Sequence, residues 1–429
     1  MRTLKHISKF ILVTLLIVSC DKAEKKKTTS KQTTQKQLTA KDILGNKNYQ
    51  AISYGGYRTK TRDTQPTIAE IKDDMKILHA MGIRVLRTYN VQLPQATNIL
   101  KAIRELKNEN AKFEMYVMLG AWIDCKYAWT GQAPDHNQES EQNEGEIERA
   151  VALANQYKDI VKILAVGNEA MIRWATSYYV QPNVILKWVN HLQDLKKSGK
   201  LSKDLWITCS DDFASWGGGD PSYRTEDLEK IIKAVDYVSM HTYPYHNSHY
   251  NPEFWHVPEA EESLTDNEKI EKAMTRSIEF AKKQYNTVAT YVKSLDADKP
   301  IHIGETGWAS ISNGHYGPTG SRATDEYKQA MYYKLMREWT NANNISCFYF
   351  EAFNEPWKDA HNEQGSENHF GLFTVDGKAK YALWNMVDEG TFKNLTRDGK
   401  SITKTYNGNK DALLLEVQVP PVKKVTVNH

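Results

Sequence analysis

Cysteine is scarce, four in 429 residues, and the chain contains neither a Cys-x-x-Cys nor a His-Glu-x-x-His spacing. A structural zinc site and a zincin-type protease are therefore not supported. If Cys20 belongs to the N-terminal segment, Cys125, Cys209 and Cys347 remain as an odd set, which argues against a disulfide framework. Cys209 and Cys347 fall within predicted strands, where a buried thiol behaves as a small apolar residue. Long apolar runs are also missing: Phe10 to Val18 is too short and too near the start to span a membrane stably. Basic charge is concentrated at one end. Residues 1–40 hold 9 Lys+Arg against 2 Asp+Glu, leaving 47 basic and 51 acidic residues in the remainder. The folded part is thus slightly acidic, and no nucleic-acid partner is expected. No internal repeat of solenoid period occurs.

The N-terminus carries Arg2, Lys5 and Lys9 ahead of that short apolar run, the order of an export signal over residues 1–20. The run closes on Ile17-Val18-Ser19-Cys20, which resembles the bacterial lipoprotein box, so lipidation of Cys20 is expected. Ordinary secretion with cleavage near Ser19 is the alternative. Residues 21–42, rich in Lys, Thr and Gln, have almost nothing to bury and are expected to form a flexible tether. These features predict a chain held to the bacterial cell envelope by lipid, at the outer-membrane surface or a periplasmic face.

From residue 49 onward, strand-like and helix-like runs alternate. Eight strands are predicted, at residues 51–54, 83–87, 113–119, 163–166, 205–208, 237–240, 301–304 and 345–350. Between them lie amphipathic helices, the clearest with Ile68, Ile71, Met75 and Leu78 at helical spacing, a Thr67/Glu70 capping box and Gly82 as a stop signal. Eightfold alternation predicts an α/β fold, a (β/α)₈ TIM barrel over residues 43–390. The loops after strands three, six, seven and eight are long, which implies a cleft at the C-terminal ends of the strands. Residues 391–429 predict a short β extension, a hairpin of Ile402–Tyr406 and Leu413–Val419 turning at Asn407-Gly408-Asn409 and packed on the barrel. A monomer is expected.

Two glutamates stand directly after strand-like runs: Glu169 in Val166-Gly167-Asn168-Glu169, and Glu305 in Ile303-Gly304-Glu305-Thr306-Gly307-Trp308. Strands four and seven face each other across a barrel mouth, so the two carboxyls can serve one reaction centre. Retaining glycosidic cleavage needs such a pair, about 5 Å apart. Either carboxylate alone would be an ordinary ion-pair partner; the two together point to chemistry. Of 11 tryptophans, seven (Trp122, Trp129, Trp174, Trp216, Trp255, Trp308 and Trp357) follow strands, and flat aromatic faces suit the apolar face of a sugar ring. About half are expected to touch sugar, Trp308 foremost. Trp188, Trp206, Trp339 and Trp384 are predicted core. His241, His246 and His249 are read as surface or sugar contacts, with no metal. The acidic stretch Asp135, Glu139, Glu141, Glu144 and Glu146 is read as a solvated loop, with calcium the lesser alternative because the EF-hand glycine pattern is missing.

The segments Ala165-Val166-Gly167-Asn168-Glu169, His241-Thr242-Tyr243-Pro244-Tyr245, Gly304-Glu305-Thr306-Gly307-Trp308 and Asn368-His369-Phe370-Gly371-Leu372-Phe373 resemble glycoside hydrolase family 17, in this order and across nearly the whole folded part. That family contains β-1,3-glucanases and related glucanosyltransferases. The resemblance implies Glu169 as general acid/base, Glu305 as nucleophile and a β-1,3-glucan as substrate, without a cofactor. Departures occur at His241 and Thr242, where plant members show Asn-Val, and at Ala309 in place of proline. Phe350-Glu351-Ala352-Phe353-Asn354-Glu355 is similar to the fungal and bacterial branch.

The physical roles follow from these assignments. Glu169 needs a raised pKa, which burial and the charge of Glu305 supply. Arg87, ending strand two, is placed to keep Glu305 ionised, and Asn168 to bond the sugar 2-hydroxyl. Tyr54, Arg87, Tyr243, Trp308 and Glu351 complete the expected substrate-binding set with Asn168, although Glu351 could instead pair with Lys358 and Tyr243 could cap the core. Glucanosyl transfer at the same site, and a non-catalytic glycan-binding lipoprotein, are the two alternative functions.

Overall fold

Each of the eight predicted strands forms, because each is a short run of apolar residues buried on both faces, the pattern of a parallel sheet covered by helices. In the computed structural model, which describes residues 37–423, they are β1 (Gln50–Ser53), β2 (Ile83–Arg87), β3 (Tyr116–Ala121), β4 (Val161–Asn168), β5 (Trp206–Asp212), β6 (Val238–His241), β7 (Ile301–Gly307) and β8 (Cys347–Phe350). Neighbours pair in parallel in chain order, and β1 pairs with β8, closing the barrel. With helices between the strands this is a (β/α)₈ barrel.

Several strands run past their apolar cores. β4 continues to Asn168, β5 to Asp212 and β7 to Gly307. A barrel strand has partners on both sides, so its backbone groups stay paired even where the side chains turn polar. The polar side chains then bond one another: Ser210 Oγ lies 2.9 Å from Ser239 Oγ, and Thr306 Oγ1 donates to Thr242 O at 2.6 Å. In register, Asn168 pairs with Ser210, Asp212 with His241 and His241 with Glu305. The extensions therefore assemble a polar rim at the C-terminal mouth.

The helix after β1 spans Ile68–Ala80 and begins with the expected capping box, Thr67 and Glu70 bonding each other's backbone; Gly82 follows at φ +90°. A second capping box, Thr265 with Glu268, starts the 30-residue helix Asp266–Leu295.

Two expected boundaries are corrected. The tether does not extend to residue 42: Thr39 caps a helical turn, Ala40–Ile43, whose Ala40 and Ile43 are fully buried against Ala51, Val85, Met118 and Phe348 of the barrel interior. With Leu44 also buried and Leu38 packed beside them, these few apolar side chains plug the barrel floor. The export signal, Cys20 and tether residues 21–36 lie outside the described residues.

The hairpin expected at residues 402–419 is not formed. A two-residue ladder joins Thr396–Arg397 to Lys400–Ser401, and Asn409 caps a short helix, Lys410–Leu414. Tyr406 and Asn407 both take left-handed backbone (φ 51° and 50°), which turns the chain out of strand direction, and Asn409 Oδ1 accepts from Ala412 N. The segment does lie on the barrel, through Thr405 N to Ala379 O (3.0 Å) and Val257 N to Pro421 O (2.9 Å). Among the described residues no helix is long and apolar enough to cross a membrane.

Candidate active site

Arg87 ends β2 fully buried and organises the mouth. Its Nη1 donates to Gly304 O (2.8 Å) and to Glu305 Oε2 (2.5 Å), and its Nη2 to Asn168 Oδ1 (2.5 Å). Tyr89 Oη donates to the same Glu305 oxygen and Tyr243 Oη to the other, each at 2.6 Å. Burial alone would raise the pKa of Glu305; Arg87 and these two hydroxyls outweigh it and hold the carboxyl at about 2. His241 would add to this if charged, but burial lowers its own pKa to about 4, so it is neutral at pH 7.

Glu169 follows β4 with φ +48°, its N–H bonded to Ser210 O at 2.9 Å, two residues after Gly167 at φ +77°. A side chain on Gly167 would meet the Ala170 methyl at 2.8 Å. Left-handed backbone at a non-glycine residue is strained, and such strain collects at functional sites. The turn brings a Glu169 oxygen, a Glu305 oxygen and a ring nitrogen of His241 within 4.8 Å of one another. His241 Nδ1 lies 3.0 Å from Glu169 Oε1, and its Nε2 lies 2.8 Å from Ser210 Oγ. Burial first, and then the charge of Glu305, raise Glu169 to about 8. One carboxyl is thereby held ionised and its neighbour held protonated at pH 7. The three groups could also offer ligands to a cation, but the Arg87 guanidinium on Glu305 opposes one electrostatically.

This split predicts a pH profile. If the working form has Glu305 ionised and Glu169 protonated, kcat/KM rises through about pH 2 and falls through about pH 8. The two values belong to the pair as a unit. A pH series on a soluble substrate measures it; an alkaline limb near pH 5 would contradict the arrangement.

Asn168 and Glu305 line a cleft of about 730 Å³. One wall carries Trp122, Trp129 and Tyr178; another carries Tyr57, Arg62 and Trp357. With Oδ1 taken by Arg87, Asn168 is left its Nδ2 donor at the cleft wall. Three of the seven candidate tryptophans therefore face the cleft. Trp308 does not: it is fully buried, donates Nε1 to Ala323 O (2.8 Å) and packs on Tyr245, Trp255 and Tyr332. Trp216 and Trp255 are likewise buried, and Trp174 is exposed away from the cleft wall.

Tyr54 also lies off the cleft, its hydroxyl donated to the buried Asp74 at 2.8 Å. Glu351 is buried, with Oε2 3.4 Å from Lys358 Nζ, which is the ion-pair alternative for this residue. Tyr243 and Arg87 act on Glu305 rather than lining the cleft. His241 is neither a surface group nor a sugar contact, because β6 carries it into the barrel rim. His246 and His249 do lie toward the surface.

The acidic stretch is ordered rather than a solvated loop. Asp135–Glu139 pairs with Cys125–Lys126, and Gln142–Gln156 is helical. Glu146 is buried, accepting from the N–H groups of Val91 (2.6 Å) and Trp122 (3.1 Å), so its charge is spent on the backbone of the cleft wall.

Residues 51–371, which hold every group of this rim, match the BtgE/BtgC glycoside hydrolase domain. The chain belongs to the BtgE/BtgC glycoside hydrolase family. It is 69% identical to an endo-laminarinase from Formosa Hel1_33_131 of known crystal structure, with a TM-score of 0.90 over 91% of this chain and 100% of that one. It is 23% identical over 330 residues to the probable glucan endo-1,3-beta-glucosidase btgC of Aspergillus clavatus, spanning 74% of this chain but 39% of the fungal protein. A glucan 1,3-beta-glucosidase of Arthroderma benhamiae is 24% identical over 73% of this chain and 83% of its own length. The Rhizomucor miehei beta-1,3-glucanosyltransferase structure, 20% identical with a TM-score of 0.54, shares the fold.

Within this BtgE/BtgC domain, three residues escaped prediction. Tyr89 stands two places after Arg87 and could have been found as the next residue on the same side of the chain. Tyr178 sits in the loop after β4, where no motif marks it. His241 was noticed, but its burial could not be read without knowing how far β6 extends.

Proposed function

We propose that this BtgE/BtgC-family glycoside hydrolase is an endo-acting β-1,3-glucanase that cleaves with retention of anomeric configuration. The observation that carries the reading is the approach of Glu169 and Glu305, with one carboxyl oxygen of each lying within 4.8 Å of the other. Retaining pairs stand ~5–5.5 Å apart, whereas inverting pairs leave ~6.5–9.5 Å for a water.

In the first step a Glu305 oxygen attacks the anomeric carbon while the bond to the leaving oxygen breaks, and Glu169 gives that oxygen its proton. Arg87 and the two tyrosine hydroxyls keep Glu305 ionised and aimed until the ester forms. The ester is neutral, so Glu169 loses the repulsion that raised its pKa and can take a proton from water in the second step. Water then adds to the anomeric carbon, and Glu305 leaves as carboxylate. The Nδ2 donor of Asn168 suits the sugar 2-hydroxyl, whose bond strengthens as positive charge develops on the ring.

The substrate and endo action are supported by the likeness to the Formosa endo-laminarinase and the Aspergillus glucan endo-1,3-beta-glucosidase and by the aromatic cleft. The motif order supports placing this domain with glycoside hydrolase family 17. We further read Cys20 as the lipid attachment point, holding the enzyme to the cell envelope. The test of the reaction is NMR of a β-1,3-glucan digest: the first reducing ends should be β anomers among mixed chain lengths. Initial α anomers would refute retention, and release of glucose alone would refute endo action.

A further inference from the structure

Trp129 is 64% exposed, and both it and Tyr127 hold left-handed backbone, φ 62° and 65°. Two large aromatic residues in a conformation that favours glycine, on an open surface, need a reason in function or packing. Neither is packed into the core. Trp129 instead stacks on Tyr178 with ring centres 5.2 Å apart and planes 22° from parallel, while Trp122 lies 5.2 Å from Tyr178 and 6.4 Å from Trp129. All three rings line the cleft that holds Glu305.

The platform is braced from behind. Asp124 accepts from Trp122 Nε1 at 3.3 Å and also bonds Trp129. Asn143 bonds both the N–H and the C=O of Asp124, at 3.2 and 2.9 Å. Cys125 N donates to Tyr178 O at 3.1 Å, and His136 stacks on Tyr179 at 3.7 Å. Val180 N donates to Ala170 O at 2.7 Å, tying the segment to the residue after Glu169. The rings are therefore fixed relative to the catalytic acid, and a rigid aromatic face loses little entropy when a flat pyranose ring settles on it.

We infer that Tyr178, Trp122 and Trp129 form an aromatic subsite for neutral glucosyl rings along the cleft, and that Trp129, the most exposed of the three, sets the enzyme's preference for long chains. The inference rests on the β-1,3-glucanase reading. On this inference a short oligosaccharide engaged at Glu305 stops short of Trp129, whereas a polymer covers it.

The test compares kcat/KM of the full-length enzyme on β-1,3-gluco-oligosaccharides from the trisaccharide to the hexasaccharide and on the polymer. In the wild type, kcat/KM should climb with chain length. Trp129→Ala should flatten the climb, lowering the polymer-to-trisaccharide ratio by roughly ten-fold, mostly through KM. Trp129→Phe should recover part of it, which a misfolded loop would not. A ratio unmoved by Trp129→Ala, or an equal fall with Trp174→Ala, overturns the inference while leaving the catalytic reading intact. Wild-type enzyme that does not cut β-1,3-glucan overturns the reading itself.

Discussion

Replacing Glu305 by glutamine is expected to lower kcat on β-1,3-glucan by about 10⁴-fold or more. The amide has nearly the same shape and can still accept from Arg87, so the cleft should keep its form. It cannot attack an anomeric carbon, and it removes the charge that Arg87, Tyr89 and Tyr243 are arranged around. A second consequence follows from the coupling of the two carboxyls. Without the charge of Glu305, the pKa of Glu169 should fall from about 8, while burial continues to hold it above the ordinary carboxylate range. Carbon NMR of labelled glutamate reads that shift independently of turnover. A protein with near-normal activity, or with an unmoved Glu169, would separate the two residues.

Replacing Glu169 by alanine should depend on the leaving group. On glucan, whose leaving hydroxyl needs a proton, the loss is expected to be on the order of 10²–10⁴-fold. An aryl β-glucoside with a good leaving group needs no such help, so its first step should proceed, with a burst of phenol as the ester accumulates for want of a base. Azide, which needs no deprotonation, should restore turnover and yield the β-glycosyl azide. The alkaline limb of the pH profile should vanish with the acid that causes it. Equal losses on glucan and on the aryl substrate would remove Glu169 from proton transfer.

The barrel and the two glutamates were legible in the sequence because both are written locally. Apolar runs of strand length recur eight times, and each glutamate directly follows one of them. What could not be read was which side chains a strand end turns toward the cleft. Trp308 and Tyr54 occupy positions that sequence order favours, yet both point into the core, since side chains on a strand alternate and one residue of register decides the side. The last residues of β6 and β7 were equally hidden: their polar side chains resemble loop, but barrel pairing keeps them in strand.

The floor and the C-terminal segment failed for the same reason. Ala40 and Ile43 form a helical turn because a closed barrel has an apolar base to cover, and residues 402–406 do not pair with 413–419 because Thr405 is held instead by Ala379 O and the Glu326 carboxyl. Tertiary surroundings settled both choices, where local preference suggested otherwise.

The central claim is that Glu305 itself bonds the sugar. Glu169→Ala, incubated with an activated β-linked glucoside and digested at low pH, should give a peptide carrying one glycosyl ester on Glu305 by tandem mass spectrometry. An ester on any other carboxylate, or a burst of phenol with no adduct on the protein, would contradict it.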